Sequence, residues 1–132
     1  MVIVNKAEIN ILYFYLQGTV EGSSGPNFGV YWMEFINDRT GETKAISYDA
    51  ATQPVYKDGR YVGFPLEEGT DDPLSNKLLL SGTNSHWHVK IYWKFATYST
   101  VVPVIVPSDA RLFMEDTVWL EGTNNETESV YQ

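Results

Sequence analysis

From residue 86 to residue 95 the chain alternates apolar and polar side chains without a break. Trp87, Val89, Ile91, Trp93 and Phe95 share one parity, and His86, His88, Lys90, Tyr92 and Lys94 the other. A period of two sustained this long predicts a β-strand with one face in a core and one face in water. Trp87, Trp93 and Phe95 are expected in that core. Immediately before it, Leu78, Leu79 and Leu80 run into Ser81-Gly82-Thr83-Asn84-Ser85. These residues favour turns, so a hairpin is predicted over residues 77–97.

Other segments repeat the theme. Val2 to Val4 is a short apolar run. Residues 9–16 are apolar at both parities, which predicts a strand covered on both faces or one with exposed rings. Gly22, Ser23, Ser24, Gly25 and Pro26 mark a loop. Residues 28–36 and 43–48 flank Asn37-Asp38-Arg39-Thr40-Gly41, a hairpin turn that would place Gly41 at positive φ. Asp58-Gly59 between Val55-Tyr56-Lys57 and Arg60-Tyr61-Val62 predicts a tight two-residue turn, with Pro65 ending that ribbon. Pro103 and Pro107 restrict residues 101–106 to an edge strand or a crossing between sheets. Ser108 and Asp109 suit one helical turn through Met114, or Leu112 and Met114 belong to a strand. Residues 117–120 form the last strand. The tetrapeptide Leu-x-Gly-Thr recurs at residues 16–19, 80–83 and 120–123, at uneven spacings that indicate similar turns rather than duplication.

No segment keeps helical spacing, while eight to ten strand candidates recur between Gly, Pro and Asp. The fold class expected is all-β, a two-sheet antiparallel β-sandwich of Greek-key or jelly-roll type. One such domain spans residues 1–122, and residues 123–132 form a flexible acidic tail. A chain of 132 residues can remove roughly 68% of its unfolded surface from water, enough for one core.

Charge and composition then narrow the function. Seventeen acidic against nine basic residues give a net charge of −8, which repels phosphate backbones and excludes a general nucleic-acid binder. Lys77, Lys90 and Lys94 nonetheless place a small basic strip on the predicted hairpin. The absence of cysteine rules out disulfides, zinc-thiolate sites and a thiol nucleophile. No apolar run reaches a membrane helix, and the amino terminus carries no signal-peptide pattern. The compartments expected are the cytoplasm, or the outside of the cell after release without a classical signal.

Candidate chemistry is sparse. His86 and His88 project from one strand face about 7 Å apart. Lys90 and Lys94 follow on that face and disfavour a metal ion, so no metal or other cofactor is expected. There is no Gly-x-Ser-x-Gly elbow, and no catalytic residue is assigned. Glu34 shares the parity of Val30, Trp32 and Ile36, and is expected to pair with Lys44 across its hairpin. Glu67, Glu68, Asp71 and Asp72 read as a solvated acidic loop.

Four Trp, nine Tyr and six Phe exceed what a core needs. Several of these rings must lie at the surface, where Tyr and Trp suit sugar stacking, interfaces and lipid boundaries. The first functional expectation is a non-enzymatic, lectin-like carbohydrate-binding module. Asn84, Ser85, His86 and His88 would bond hydroxyls, and Tyr92 or Trp119 would stack on the ring, with a glycan as partner. The alternatives are a structural subunit of a homo-oligomer and a small membrane-binding or pore-forming sandwich. In size, acidity and aromatic content the chain resembles small all-strand lectins and cytolysins.

Overall fold

The computed structural model describes residues 1–15, 28–54, 56–58 and 61–122. In chain order the strands are β1 (Val2–Asn5), β2 (Ile9–Tyr15), β3 (Val30–Asn37), β4 (Thr43–Asp49), β5 (Tyr56–Asp58), β6 (Tyr61–Glu68), β7 (Lys77–Leu78), β8 (Ser85–Lys94) and β9 (Arg111–Glu121), with single 3-10 turns at Pro73–Ser75 and Tyr98–Thr100. One sheet has the order β1-β9-β8-β3-β4, and the other β2-β6-β5 with β7 also on β6. The protein is therefore all-β and sandwich-like, as its alternation predicts. No helix among the described residues is long and apolar enough to cross a membrane.

The two sheets meet through one parity of each strand. Tyr31, Met33 and Phe35 of β3, Ile46 and Tyr48 of β4, and Trp87, Val89 and Ile91 of β8 pack against Leu12, Phe14, Val62, Phe64 and Leu66 of the facing sheet, all essentially without solvent exposure. Burying such side chains contributes roughly 1.5–3 kcal/mol each. Rings interlock across the gap: Phe64 lies 5.3 Å from Tyr31 and 5.1 Å from Tyr48. Burial raises the Tyr31 phenol, and it raises Tyr48 together with nearby Tyr98. The Tyr48 hydroxyl donates to the Pro65 carbonyl oxygen at 2.7 Å.

Several expectations need correction. The pairing is not wholly antiparallel, since β1 runs parallel to β9 and β7 parallel to β6. The leucine run does not form a hairpin with β8: Leu78 and Leu80 are buried, β7 belongs to the opposite sheet, and residues 81–84 carry the chain across. Pro65 does not end its ribbon. It sits inside β6 between the stretch paired with β5 and the stretch paired with β7, where its missing N–H breaks no ladder. Asp58 pairs with Tyr61, so it lies in the strand rather than in the turn, and Gly59 and Arg60 fall outside the described residues. Residues 101–106 form no strand, and β9 instead begins at Arg111 and takes in Leu112 and Met114.

Phe95 is not core. β8 ends at Lys94, which leaves Phe95 73% exposed against Phe28. Trp32 departs from alternation in the opposite sense, being fully buried although its parity points away from the core. In the connection between β8 and β9, Val104 lines one hollow with Thr43, Lys44 and Ala45 of β4 and with Asp71, Pro73 and Leu78. The segments 16–27 and 123–132, including the expected acidic tail and the first Leu-x-Gly-Thr copy, lie outside the described residues.

Candidate functional site

At one end of the large sheet the β3–β4 turn stands beside the loop that enters β8. Asn37 organises the turn: its side-chain oxygen accepts from the N–H of Arg39 at 2.8 Å and of Thr40 at 3.0 Å. Such a side-chain turn is what Asn does in place of a backbone acceptor. Gly41 at φ 76° closes it, donating its N–H to the Asn37 carbonyl at 2.9 Å. Asp38 then donates its N–H to the His86 carbonyl oxygen at 3.2 Å, which locks the turn against the start of β8.

The facing loop is held as firmly. Gly82 at φ 84° and Asn84 at φ 49° supply two left-handed positions, the second being one that Asn tolerates better than most residues. Asn84 Oδ1 accepts the Gly122 N–H at 3.3 Å, and Ser81 Oγ donates to Glu42.

Two hollows open between these elements. One, of about 300 Å³, is lined by Asp38, Arg39, Asn84, Ser85 and His86. Its neighbour, of about 370 Å³, is lined by Asn37, Arg39, Thr40, Ser81, Gly82, Thr83 and Ser85. Arg39 and Ser85 border both, so the hollows adjoin. Polar residues and one glycine line them, although carbon atoms make up much of the wall, and each volume is at the small end of ligand sites. The Ser85 hydroxyl is buried and has no hydrogen-bond partner among the described residues. Arg39 makes no ion pair there either, whereas Lys6, Lys44, Lys77 and Lys94 each have a carboxylate partner.

Of the residues singled out in the sequence, Asn84, Ser85 and His86 line this place together. Trp119 flanks it, with the His86 ring edge-on at 4.8 Å and its indole N–H donated to Glu121. The other two stand apart. His88 Nε2 lies 2.9 Å from Glu115 Oε1 further along the sheet. Tyr92 is six residues from His86 along β8, about 20 Å at the rise of a strand. Burial raises the Tyr92 phenol, as do the Glu34 and Glu115 carboxylates, while Lys90 opposes them.

Asn37, Asp38, Arg39 and Thr40 line the hollows although the sequence marks them only as a turn. Their relation to residues 84–86 depends on β3 pairing with β8, with Ile36 opposite His88, and periodicity does not reveal strand order.

Elsewhere the charges are structural. Glu34 does not pair with Lys44, because Lys44 is opposite Phe35 and so points to the other face, where it bonds Asp71. Glu34 instead lies beside Lys90, which has Glu115 on its far side. Lys77 pairs with Glu67 in the other sheet and Lys94 with Asp109, both at 3.2 Å, so no basic strip forms. The acidic stretch is not a solvated loop either: Glu67 and Glu68 end β6, and Glu68 is buried. No group of three His, Asp or Glu that could hold a metal ion occurs among the described residues.

Comparison of the chain with protein-family models, with curated proteins and with solved structures found no match.

Proposed function

We propose that the chain is a non-enzymatic carbohydrate-binding module whose site is the pair of adjoining hollows between the β3–β4 turn and the entry to β8. The observation that carries this reading is the buried, unpartnered Ser85 hydroxyl between two walls of Asn, Ser, Thr, Asp and Arg side chains. A buried hydroxyl without a partner is costly, and turning Ser85 Oγ into the adjoining hollow would let a ligand hydroxyl satisfy it. The absence of large apolar side chains from both linings favours a polyhydroxylated ligand over a lipid or an apolar peptide. His86 and Trp119 supply the ring surface at the margin.

A broad glycan array followed by calorimetry tests it. Saturable binding is expected, with Ser85→Ala and Asn84→Ala weakening it while the far-ultraviolet spectrum stays unchanged. Silence across the whole panel would remove the proposal.

A second reading has its own observation. On the outward face of the small sheet, Ile9, Ile11, Tyr13 and Tyr61 are 72%, 38%, 51% and 52% exposed. The central rows, Ile11 with Pro65 and Tyr13 with Gly63, carry no charge, while Ile9 stands opposite Glu67, which pairs with Lys77, and Tyr61 lies between Tyr15 and Asp58. An apolar strip of this kind, with charges at its ends, suits a subunit contact in a homo-oligomer. Sedimentation at rising concentration should then show association that Ile9→Lys with Tyr61→Glu abolishes, and a monomer at every concentration would exclude it.

A further inference from the structure

We infer that the ligand of this site is an acidic sugar, with its carboxylate or sulfate on Arg39 and its ring in the hollow of Asp38, Asn84, Ser85 and His86. The inference rests on the carbohydrate-binding reading and adds the ligand's charge to it.

The argument begins with the place of Arg39. Arg39 borders both hollows and is exposed, and it has no carboxylate partner among the described residues, in a protein whose net charge is −8. An exposed Arg held on a fixed turn presents a planar fork that matches a carboxylate or sulfate. The turn is fixed at both ends by Asn37 and by the bond from Asp38 to the His86 carbonyl.

The two hollows differ in what they would do to an anion. That of Asp38 contains a carboxylate, which repels one and accepts hydroxyl protons instead. The other is lined by Thr40, Ser81, Gly82 and Thr83, with no carboxylate in its wall. Glu42 stands at its margin, engaged by the Ser81 hydroxyl. No hydrogen bond within the described residues uses the backbone N–H of Gly82 or Thr83. The Thr40 and Thr83 hydroxyls and the Gly82 and Thr83 amides therefore remain available beside Arg39 on this side, and the Asp38 carboxylate stands on the other. A ligand with an anionic group at one end and hydroxyls at the other satisfies both.

Calorimetric titration of the full chain with three sugars of equal size, one neutral, one carrying a carboxylate and one a sulfate, decides the matter. A charge-assisted bond to Arg39 predicts that both acidic sugars bind about ten- to a hundredfold tighter than the neutral one. Added salt should narrow that ratio. Arg39→Gln should bring it close to one, and Arg39→Lys should keep part of it. Equal affinity for neutral and acidic sugars, or an Arg39→Gln variant that retains the preference, overturns the inference and leaves the carbohydrate reading standing. Inorganic sulfate or acetate binding as tightly as the acidic sugars also overturns it, since the ring would then contribute nothing. Failure of all three sugars to bind removes both.

Discussion

Lys6 Nζ lies 3.2 Å from Glu68 Oε2 and donates to the Leu80 carbonyl oxygen at 2.8 Å, tying the exit of β1 to the end of β6 and to the crossing toward β8. Glu68 is almost wholly buried and also accepts the N–H of Ala7 and of Leu80, both at 2.9 Å. Three chain segments that are far apart in sequence thus share one carboxylate.

Lys6→Met should be strongly destabilising, because it leaves that charge buried without its counterion. The expected loss is about 3–5 kcal/mol, read as a lower urea midpoint at unchanged slope. Lys6→Met with Glu68→Leu should cost less than the sum of the two single changes. Strict additivity would mean that the pair is not coupled.

Ala7, which donates to Glu68, has φ 60°. A side chain at such a φ costs roughly 1–2 kcal/mol, part of which glycine returns as extra freedom in the unfolded chain. Ala7→Gly should therefore raise stability by about 0.5–1 kcal/mol, measured as a higher thermal midpoint. A lower midpoint would show that the turn gains nothing from relief of its backbone.

Gly29 makes the opposite case. It has φ 84°, and a Cβ there would stand 2.6 Å from the Lys94 carbonyl oxygen and 2.8 Å from Trp93 Nε1, which donates to the Phe28 carbonyl. Gly29→Ala combines a disfavoured φ with a backbone clash. It should cost more than about 2 kcal/mol and disturb the tryptophan near-ultraviolet signal. A stable variant with an unchanged spectrum would contradict the contact.

Two carboxylates lowered by folding contribute to the acid limb of stability. The bond from His88 holds Glu115 below the ordinary carboxylate range against a smaller effect of burial, with help from the charges of Lys90 and His88. Burial alone would raise Asp71, but the Leu79 N–H and the Lys44 ammonium more than reverse it. A carboxylate lowered by folding stabilises the native state fully above its unfolded pKa, and the contribution disappears as pH falls through the folded value. His88→Ala and Lys44→Ala should thus lower the urea midpoint near neutral pH and converge with the parent below the carboxylate range. A difference that persists or grows in acid would refute that origin.

Alternation made the fold class legible because inward parity on β8 is filled by Trp87, Val89 and Ile91, and the β3–β4 turn was legible because Asn37 and Gly41 are what its geometry demands. Long-range partners leave no such mark on local sequence. Leu78 to Leu80 precede turn formers and so resemble half a hairpin, yet Glu68 takes the Leu80 N–H and draws that segment to the opposite sheet. Lys44 and Glu34 are plausible hairpin partners until the register puts them on opposite faces. The site was half visible for the same reason: Asn84, Ser85 and His86 announce themselves as a polar turn, and Arg39 joins them only through the order of strands.

The parallel pairing of β1 with β9, from Val2 opposite Val118 to Asn5 opposite Glu121, bears on how the protein is made. Among the described strands β1 comes first along the chain and its partner β9 last, so this pairing can close only after both have been made. A chain cut before β9 would leave β1 and one edge of β8 without neighbours, and unpaired strand edges of that kind invite association with other chains.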